Sequence, residues 1–282
     1  MTQILDSEFW ISQWQQAADG SRFHEVYPDE KCIWNISART FDSGLGKSDV
    51  RERTLLKILD DLDFWTGSNK RALDIGSGTG ALSIPLALHG ALVDALDNSE
   101  QMNNVLQEKC DANGIGNINI LPEDFLQCDI PKNSYDLVLG SMNPCLYNPK
   151  SFLKMLSLSR DVLIYIGIAG IVNTSAEKPL AELITGISPG HNGSNHVIYP
   201  FNLLLSLGHC PTINYIPNSW ERKEPPEQAT LRLVSQHEHF RARYPYMDKV
   251  VHNYVVQHTK DGLYVEHGSA LMGIVSCRKQ EL

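Results

Sequence analysis

No stretch of the sequence is apolar for long enough to cross a bilayer; the longest, such as Leu163–Val172, falls well short of the ~20 residues a membrane helix needs. The first eight residues carry neither a basic cluster nor an apolar core, so no secretory signal is read there and cytoplasmic retention is expected. Cysteine is present but unorganised. Cys32, Cys110, Cys128, Cys145, Cys210 and Cys277 never fall at C-x-x-C spacing, which argues against a disulfide framework and against a thiolate zinc site. Positive charge is also short: 24 Lys and Arg stand against 33 Asp and Glu, a net charge of −9, leaving no global field to collect phosphates. The partners expected are therefore a small molecule, with no nucleic acid and no membrane. Repeats and low-complexity tracts are absent, so the 282 residues read as one decorated domain rather than beads on a string.

What is present is an ordinary globular composition, 42% hydrophobic and 20% charged, with patterning that changes along the chain. Residues 1–70 read as a helical N-terminal cap or lid. Phe9, Trp10 and Trp14 recur near helical spacing, and Val50, Leu55, Ile58 and Leu62 share one face of a helix. Residues 71–172 alternate short apolar runs with helical segments. Strands are expected at 72–75, 92–96, 118–121, 137–140 and 162–168, with helices at 81–89, 99–113 and 151–159 between them. This order implies an α/β, doubly wound, Rossmann-like three-layer sandwich on a mostly parallel, seven-stranded sheet. Residues 173–282 break the alternation and read as acceptor-pocket insertions with two closing strands, at 211–220 and 269–277.

Asp74-Ile75-Gly76-Ser77-Gly78-Thr79-Gly80 follows the first strand and opens a helix. Glycines there let the backbone turn tightly and approach a ligand. Gly76, Gly78 and Ala81 alone fit the dinucleotide pattern equally well. Two acids discriminate. Asp97 ends the second strand, 17 residues after Gly80, where a carboxylate suits ribose hydroxyls. Asp74, beside the turn, would repel a pyrophosphate but attract a ligand carrying an ammonium and a sulfonium.

These residues resemble the class I S-adenosylmethionine-dependent methyltransferases over roughly residues 34 to 170. Asp74–Gly80 is similar to that family's first motif and Asp97-Asn98-Ser99-Glu100-Gln101-Met102 to its second, while Glu123-Asp124-Phe125 is similar to its third, whose acid meets the adenine amino group. Tyr135–Leu139 matches the fourth strand. The resemblance implies S-adenosyl-L-methionine as cofactor, held by Asp74, Gly76, Ser77, Gly78, Gly80, Asp97, Asn98, Met102, Asp124, Phe125 and Ser141. Trp34–Asp42 resembles the family's N-terminal lid; the alternative is that Trp34 and Phe41 are core aromatics.

Ser141–Tyr147 follows the fourth strand and is the expected substrate-facing loop. It partly resembles the N-P-P-Y/F signature of amino methyltransferases, but Cys145 and Leu146 replace the second Pro and the aromatic. Asn143 is thus either an amine-binding side chain or the cap of a proline turn. Asn143, Tyr147 and Tyr199 are the substrate candidates, and Asn143, His191 and His196 the catalytic candidates, histidine because it titrates near neutral pH. No metal is expected, since His237 and His239, two apart on a helix, point to different faces. The function expected is direct in-line methyl transfer to a small-molecule acceptor. The alternatives are a catalytically silent nucleotide-binding or scaffold protein, and an NAD(P)-dependent oxidoreductase.

Overall fold

The computed structural model describes residues 6–21, 23–26, 30–42, 50–67, 69–170, 176–188 and 196–279. Five parallel strands build one half of its sheet: β1 (Arg71–Ile75), β2 (Leu92–Leu96), β3 (Ile118–Leu121), β4 (Tyr135–Ser141) and β5 (Ser159–Ile168). Three antiparallel strands complete it: β6 (Thr212–Glu224), the two-residue β7 (Thr259–Lys260) and β8 (Leu263–Arg278). The order is β3-β2-β1-β4-β5-β8-β6, with β7 paired to β8 off that path. Seven strands were expected on that path, and the hairpin strand β7 adds an eighth. The apolar runs of β1 and β4 are buried along nearly their whole length, as strands covered by helices on both faces must be.

Before β1 come α1 (Ser7–Asp19), the short α2 (Phe23–Val26), α3 (Glu30–Phe41) and α4 (Val50–Asp61). The crossovers carry α5 (Ser83–Leu88), α6 (Glu100–Asn113) and α7 (Pro149–Leu158). Sequence sets their ends. Ser99 accepts from the Met102 amide to start α6, which stops at Gly114 in a left-handed conformation (φ 64°), while Asn148 caps α7 with Pro149 in its first turn. The four helices before β1 lie in different places. Trp14 of α1 is wholly buried on the sheet, stacked at 5.8 Å on Tyr199 and edge-on to Tyr165, whereas α3 and α4 lie at the strands' carboxyl ends.

At the opposite, amino-terminal edge, Asp136 of β4 accepts from the Arg160 guanidinium at 2.7 and 2.8 Å and from the Arg71 amide at 2.8 Å. That cluster ties β1, β4 and β5 together away from the ligand edge.

After β5 follow α8 (Glu177–Thr185) and α9 (Ile198–Ser206), then, between β6 and β8, α10 (Pro226–Gln236) and α11 (Met247–Gln257). Helix α10 ends at Gln236, and after His237 the chain continues as a 3-10 turn at Glu238–Phe240. The strand expected at 269–277 reaches back to Leu263. Beyond Met272, where β5 stops pairing, β6 and β8 continue as a two-stranded ribbon to Glu224 and Tyr264. The ribbon carries α8, α10 and α11, whose Leu180, Ile184, Leu233, Val251 and Val255 close a separate apolar cluster around Tyr264. Arg232 of α10 ties the two strands together, donating to Glu224 and Glu266 at 2.6 Å each.

Candidate active site

Parallel pairing puts the carboxyl ends of β1, β2 and β4 on one edge, and the three segments that follow them converge there. After β1, the Gly76 and Ser77 amides donate back to the Leu96 carbonyl at the end of β2, at 2.7 and 3.1 Å. Gly76, Gly78 and Gly80 all have positive φ (70°, 54° and 84°), which a side chain would strain. The added constraints differ. A Cβ at Gly76 would collide with the Asn143 side-chain amide and one at Gly80 with Leu106, but at Gly78 it would meet only Met102 Sδ, at 3.9 Å, and would project into open space.

That space is a cleft of about 510 Å³. Of the expected cofactor residues, Asp74, Gly76, Ser77, Gly78, Asp97, Asn98, Met102, Asp124, Phe125 and Ser141 line it, whereas Gly80 instead packs the loop against α6. Asn143 and Tyr147 also line it. His196 and Tyr199 do not: His196 accepts from the Ile198 amide at the start of α9, and Tyr199 is committed to Trp14. His191 lies outside the described residues. Among the described residues no cluster of His, Cys, Asp or Glu could hold a metal, and no helix is long and apolar enough to cross a membrane.

Asp74 and Asp97 are the charged centre of the cleft. Asp74 is 2% exposed and accepts from Ser83 Oγ at 2.6 Å. Burial pushes its pKa up to about 6; the Ser83 bond opposes the rise, the charge on Asp97 adds to it, and Arg51 offsets part of it. Asp97 accepts from the Gly78 amide (2.9 Å) and the Ser99 amide (2.8 Å), which hold its carboxylate across the glycine loop. Burial raises its pKa against those two bonds. Asp124 lines the cleft while its carboxylate also caps its own turn, accepting from the Leu126 amide at 2.8 Å. Ser77 and Ser141 line the cleft, and the Oγ of each is buried without a hydrogen-bond partner, which is costly for a donor to bear.

The cleft has contributors that the sequence reading missed. Lys31 comes from α3 and Val50 and Arg51 from α4, while Ile216, Pro217 and Met272 join Met142 of the expected Ser141–Tyr147 loop in the wall furthest from Asp97 along the sheet edge. One signal existed for Arg51: a cation in the first turn of a helix runs against the helix dipole and needs another reason to be there. Nothing marked Ile216 or Met272, which read as ordinary strand residues. Trp34 and Phe41 of α3 pack edge-on to each other at 6.1 Å and lie against Met102 and Val105, so they line the cleft and are also part of a small core.

Residues 72–164 match the family model described as a methyltransferase domain. Over that third of the chain the sequence is similar to a methyltransferase domain. A curated relative, probable ribosomal RNA small subunit methyltransferase A of Methanosphaera stadtmanae, is 28% identical over 118 residues. That alignment takes in 41% of this chain, and the chain spans 42% of the relative's length. Among solved structures, the chain is similar to a putative methyltransferase from Bacillus halodurans C-125, at 14% identity and a TM-score of 0.47, covering 78% of this chain and 97% of that one. It is also similar to magnesium protoporphyrin IX methyltransferase from Synechocystis PCC 6803 with bound SAH, at 18% identity and a TM-score of 0.47, covering 86% and 99%.

Proposed function

We propose that the protein is an S-adenosylmethionine-dependent methyltransferase acting on a small-molecule acceptor. The observation that carries this reading is the pair of carboxylates, Asp74 buried and Asp97 half-buried, at the ends of adjacent strands on one cleft. An acid beside the glycine turn opposes a dinucleotide pyrophosphate and suits a cationic nucleoside.

The residues fit the cofactor on grounds of their own. The cleft is of the size that takes a nucleoside-sized ligand. Ser77 and Ser141 offer unmet hydroxyls, and Gly78 leaves open the volume a side chain would fill. In this reading Asp97 holds the ribose hydroxyls, with Asn98, Asp124 and Phe125 around the adenine. Asp74 and Arg51 face the ammonium and carboxylate of the amino-acid end. Bound there, the sulfonium supplies an activated methyl group. The protein's own task is to hold the acceptor in line and keep water out, and orientation of that kind accounts for roughly 7–11 kcal/mol of barrier lowering. Trp34 and Phe41 supply apolar cover on the α3 side.

An RNA acceptor is the second reading, favoured by the name of the curated relative. The net charge of −9 opposes it, because affinity for a phosphate backbone is mostly electrostatic. Titration calorimetry with S-adenosylhomocysteine tests the cofactor. Binding that Asp97→Ala weakens at least tenfold is the expected result, and no binding to the wild-type protein would overturn the reading. Titration with a short oligoribonucleotide separates the two acceptors.

A further inference from the structure

The loop at the end of β4 has an unusual economy. Asn143 Oδ1 accepts from the Cys145 amide at 3.0 Å, which starts the 3-10 turn Pro144–Leu146, and Asn143 Nδ2 donates to the Ile75 carbonyl at 3.0 Å. Tyr147 Oη donates to the Met142 carbonyl at 3.2 Å. The polar atoms expected to meet an acceptor are therefore engaged within the loop. Between them stands Met142, a non-glycine residue at φ 51°, fixed by its amide bond to the Ile166 carbonyl (2.9 Å) and by the Tyr147 hydroxyl. A left-handed backbone at a side-chain-bearing residue costs on the order of 1–3 kcal/mol and persists only where its surroundings hold it.

Met142 lines the cleft, and so do Pro144, Ile216, Pro217 and Met272. Two thioethers, two prolines and an isoleucine make a wall that gains by covering apolar surface and offers no charge to an acceptor. Ser141 Oγ is the unmet polar atom at this end of the cleft. The cations that line the cleft, Lys31 and Arg51, come from α3 and α4 rather than from this wall.

We infer that the acceptor end of the cleft takes an uncharged, mainly apolar small molecule, with Met142 as the specificity-determining side chain and Tyr147 as the positioning residue that holds it. The inference rests on the cofactor reading above and narrows it. It predicts discrimination by polarity, since an anion brought to this wall would lose its hydration without finding a partner.

The test uses protein saturated with S-adenosylhomocysteine, which fills the nucleoside end, titrated calorimetrically with indole, with benzoate and with a short oligoribonucleotide. Indole should bind at least tenfold more tightly than benzoate, and the oligoribonucleotide should not bind. Met142→Asn, whose side chain tolerates the left-handed backbone, should weaken indole at least tenfold while leaving S-adenosylhomocysteine affinity within twofold. Tyr147→Phe should weaken indole severalfold at an unchanged melting temperature. Benzoate or the oligoribonucleotide binding more tightly than indole would overturn the inference, as would indole binding indifferent to both substitutions. Failure of S-adenosylhomocysteine to bind the wild-type protein sinks the cofactor reading instead, so the two failures are distinguishable.

Discussion

The side-chain amide of Asn143 donates to the main-chain carbonyl of Ile75 at 3.0 Å, which fastens the acceptor-side loop to the residue that opens the glycine turn. Asn143 is therefore a joint between the two halves of the site. Asn143→Ala should lower stability by about 1–3 kcal/mol, since it leaves the Cys145 amide and the Ile75 carbonyl unmet. Thermal unfolding checks this. Asn143→Asp keeps the acceptor for Cys145 and loses the donor to Ile75, so its melting temperature should fall between the other two. A melting temperature for Asn143→Ala equal to wild type would show that the joint carries nothing.

Gly76 lies on the other side of the same joint. Gly76→Ala places a methyl group into the Asn143 amide and also forces a side chain onto a backbone at φ 70°. Both strain and collision act, so S-adenosylhomocysteine affinity should fall at least tenfold alongside stability. Gly114→Ala is the control. Its φ is 64° but nothing lies within 4 Å of the added carbon, so it should cost only the left-handed penalty of roughly 1–2 kcal/mol and leave cofactor affinity unchanged.

Asp74 should trade stability for binding. Because burial raises its pKa from 3.8 to about 6, the native state keeps a proton that the unfolded chain has already lost across that interval. Its contribution to stability is thus most favourable below 3.8 and is progressively lost as pH rises to about 6. Asp74→Asn, which can still accept from Ser83, should leave the ligand-free protein as stable as wild type or more stable at neutral pH, by up to ~1–3 kcal/mol. The same substitution should weaken S-adenosylmethionine, and wild-type affinity should itself fall as pH drops through about 6 and the carboxylate is neutralised. Unfolding from about pH 3.5 to 7 and titration from about pH 5 to 8 measure the two arms. Affinity independent of pH would remove Asp74 from contact with the bound cation.

The parallel half of the sheet was legible because its strands are continuous apolar runs punctuated by Gly90, Gly114 and the Asp74–Gly80 turn, signals that depend only on local sequence. Strands β2 and β3 fall where they were expected. The closing half was legible only in outline. The ribbon from Ser219 to Glu224 and from Leu263 to Gly268 carries Glu221, Arg222, Lys223, Glu266 and His267, and its pairing depends on strands some 50 residues apart meeting, which no local pattern reports. The side of the candidate cleft that carries Asp97, Asn98 and Asp124 was legible for the same reason as β1 and β2: its residues follow their strands directly. The opposite wall was not, because Ile216 and Met272 reach the cleft only through the antiparallel order β5-β8-β6. Tyr199 was drawn to the site by its aromatic ring, but that ring stacks on Trp14 instead.

The glycine loop is also held from its outer side, by a triangle of polar contacts. Thr79 Oγ1 donates to Asp42 Oδ1 at 2.6 Å, Lys109 Nζ donates to the Thr79 carbonyl at 2.8 Å, and Lys109 pairs with Asp42 at 2.6 Å. These bonds join the end of α3, the loop and the middle of α6, and Arg39 to Glu108 at 2.7 Å adds a second tie between α3 and α6. Because Asp42 and Lys109 are both partly exposed, the ion pair itself contributes little, and the Thr79 bonds carry more of the effect. Thr79→Val and Lys109→Met should each weaken S-adenosylhomocysteine severalfold with a stability loss of about 0.5–1.5 kcal/mol. Their effects should be less than additive, because the Thr79 hydroxyl and Lys109 both meet the Asp42 carboxylate. Raising the salt to ~1 M should screen the Asp42–Lys109 pair and reproduce only a small part of the Lys109→Met loss. Fully additive effects in the double variant would mean that Thr79 and Lys109 hold the loop independently and that no triangle operates.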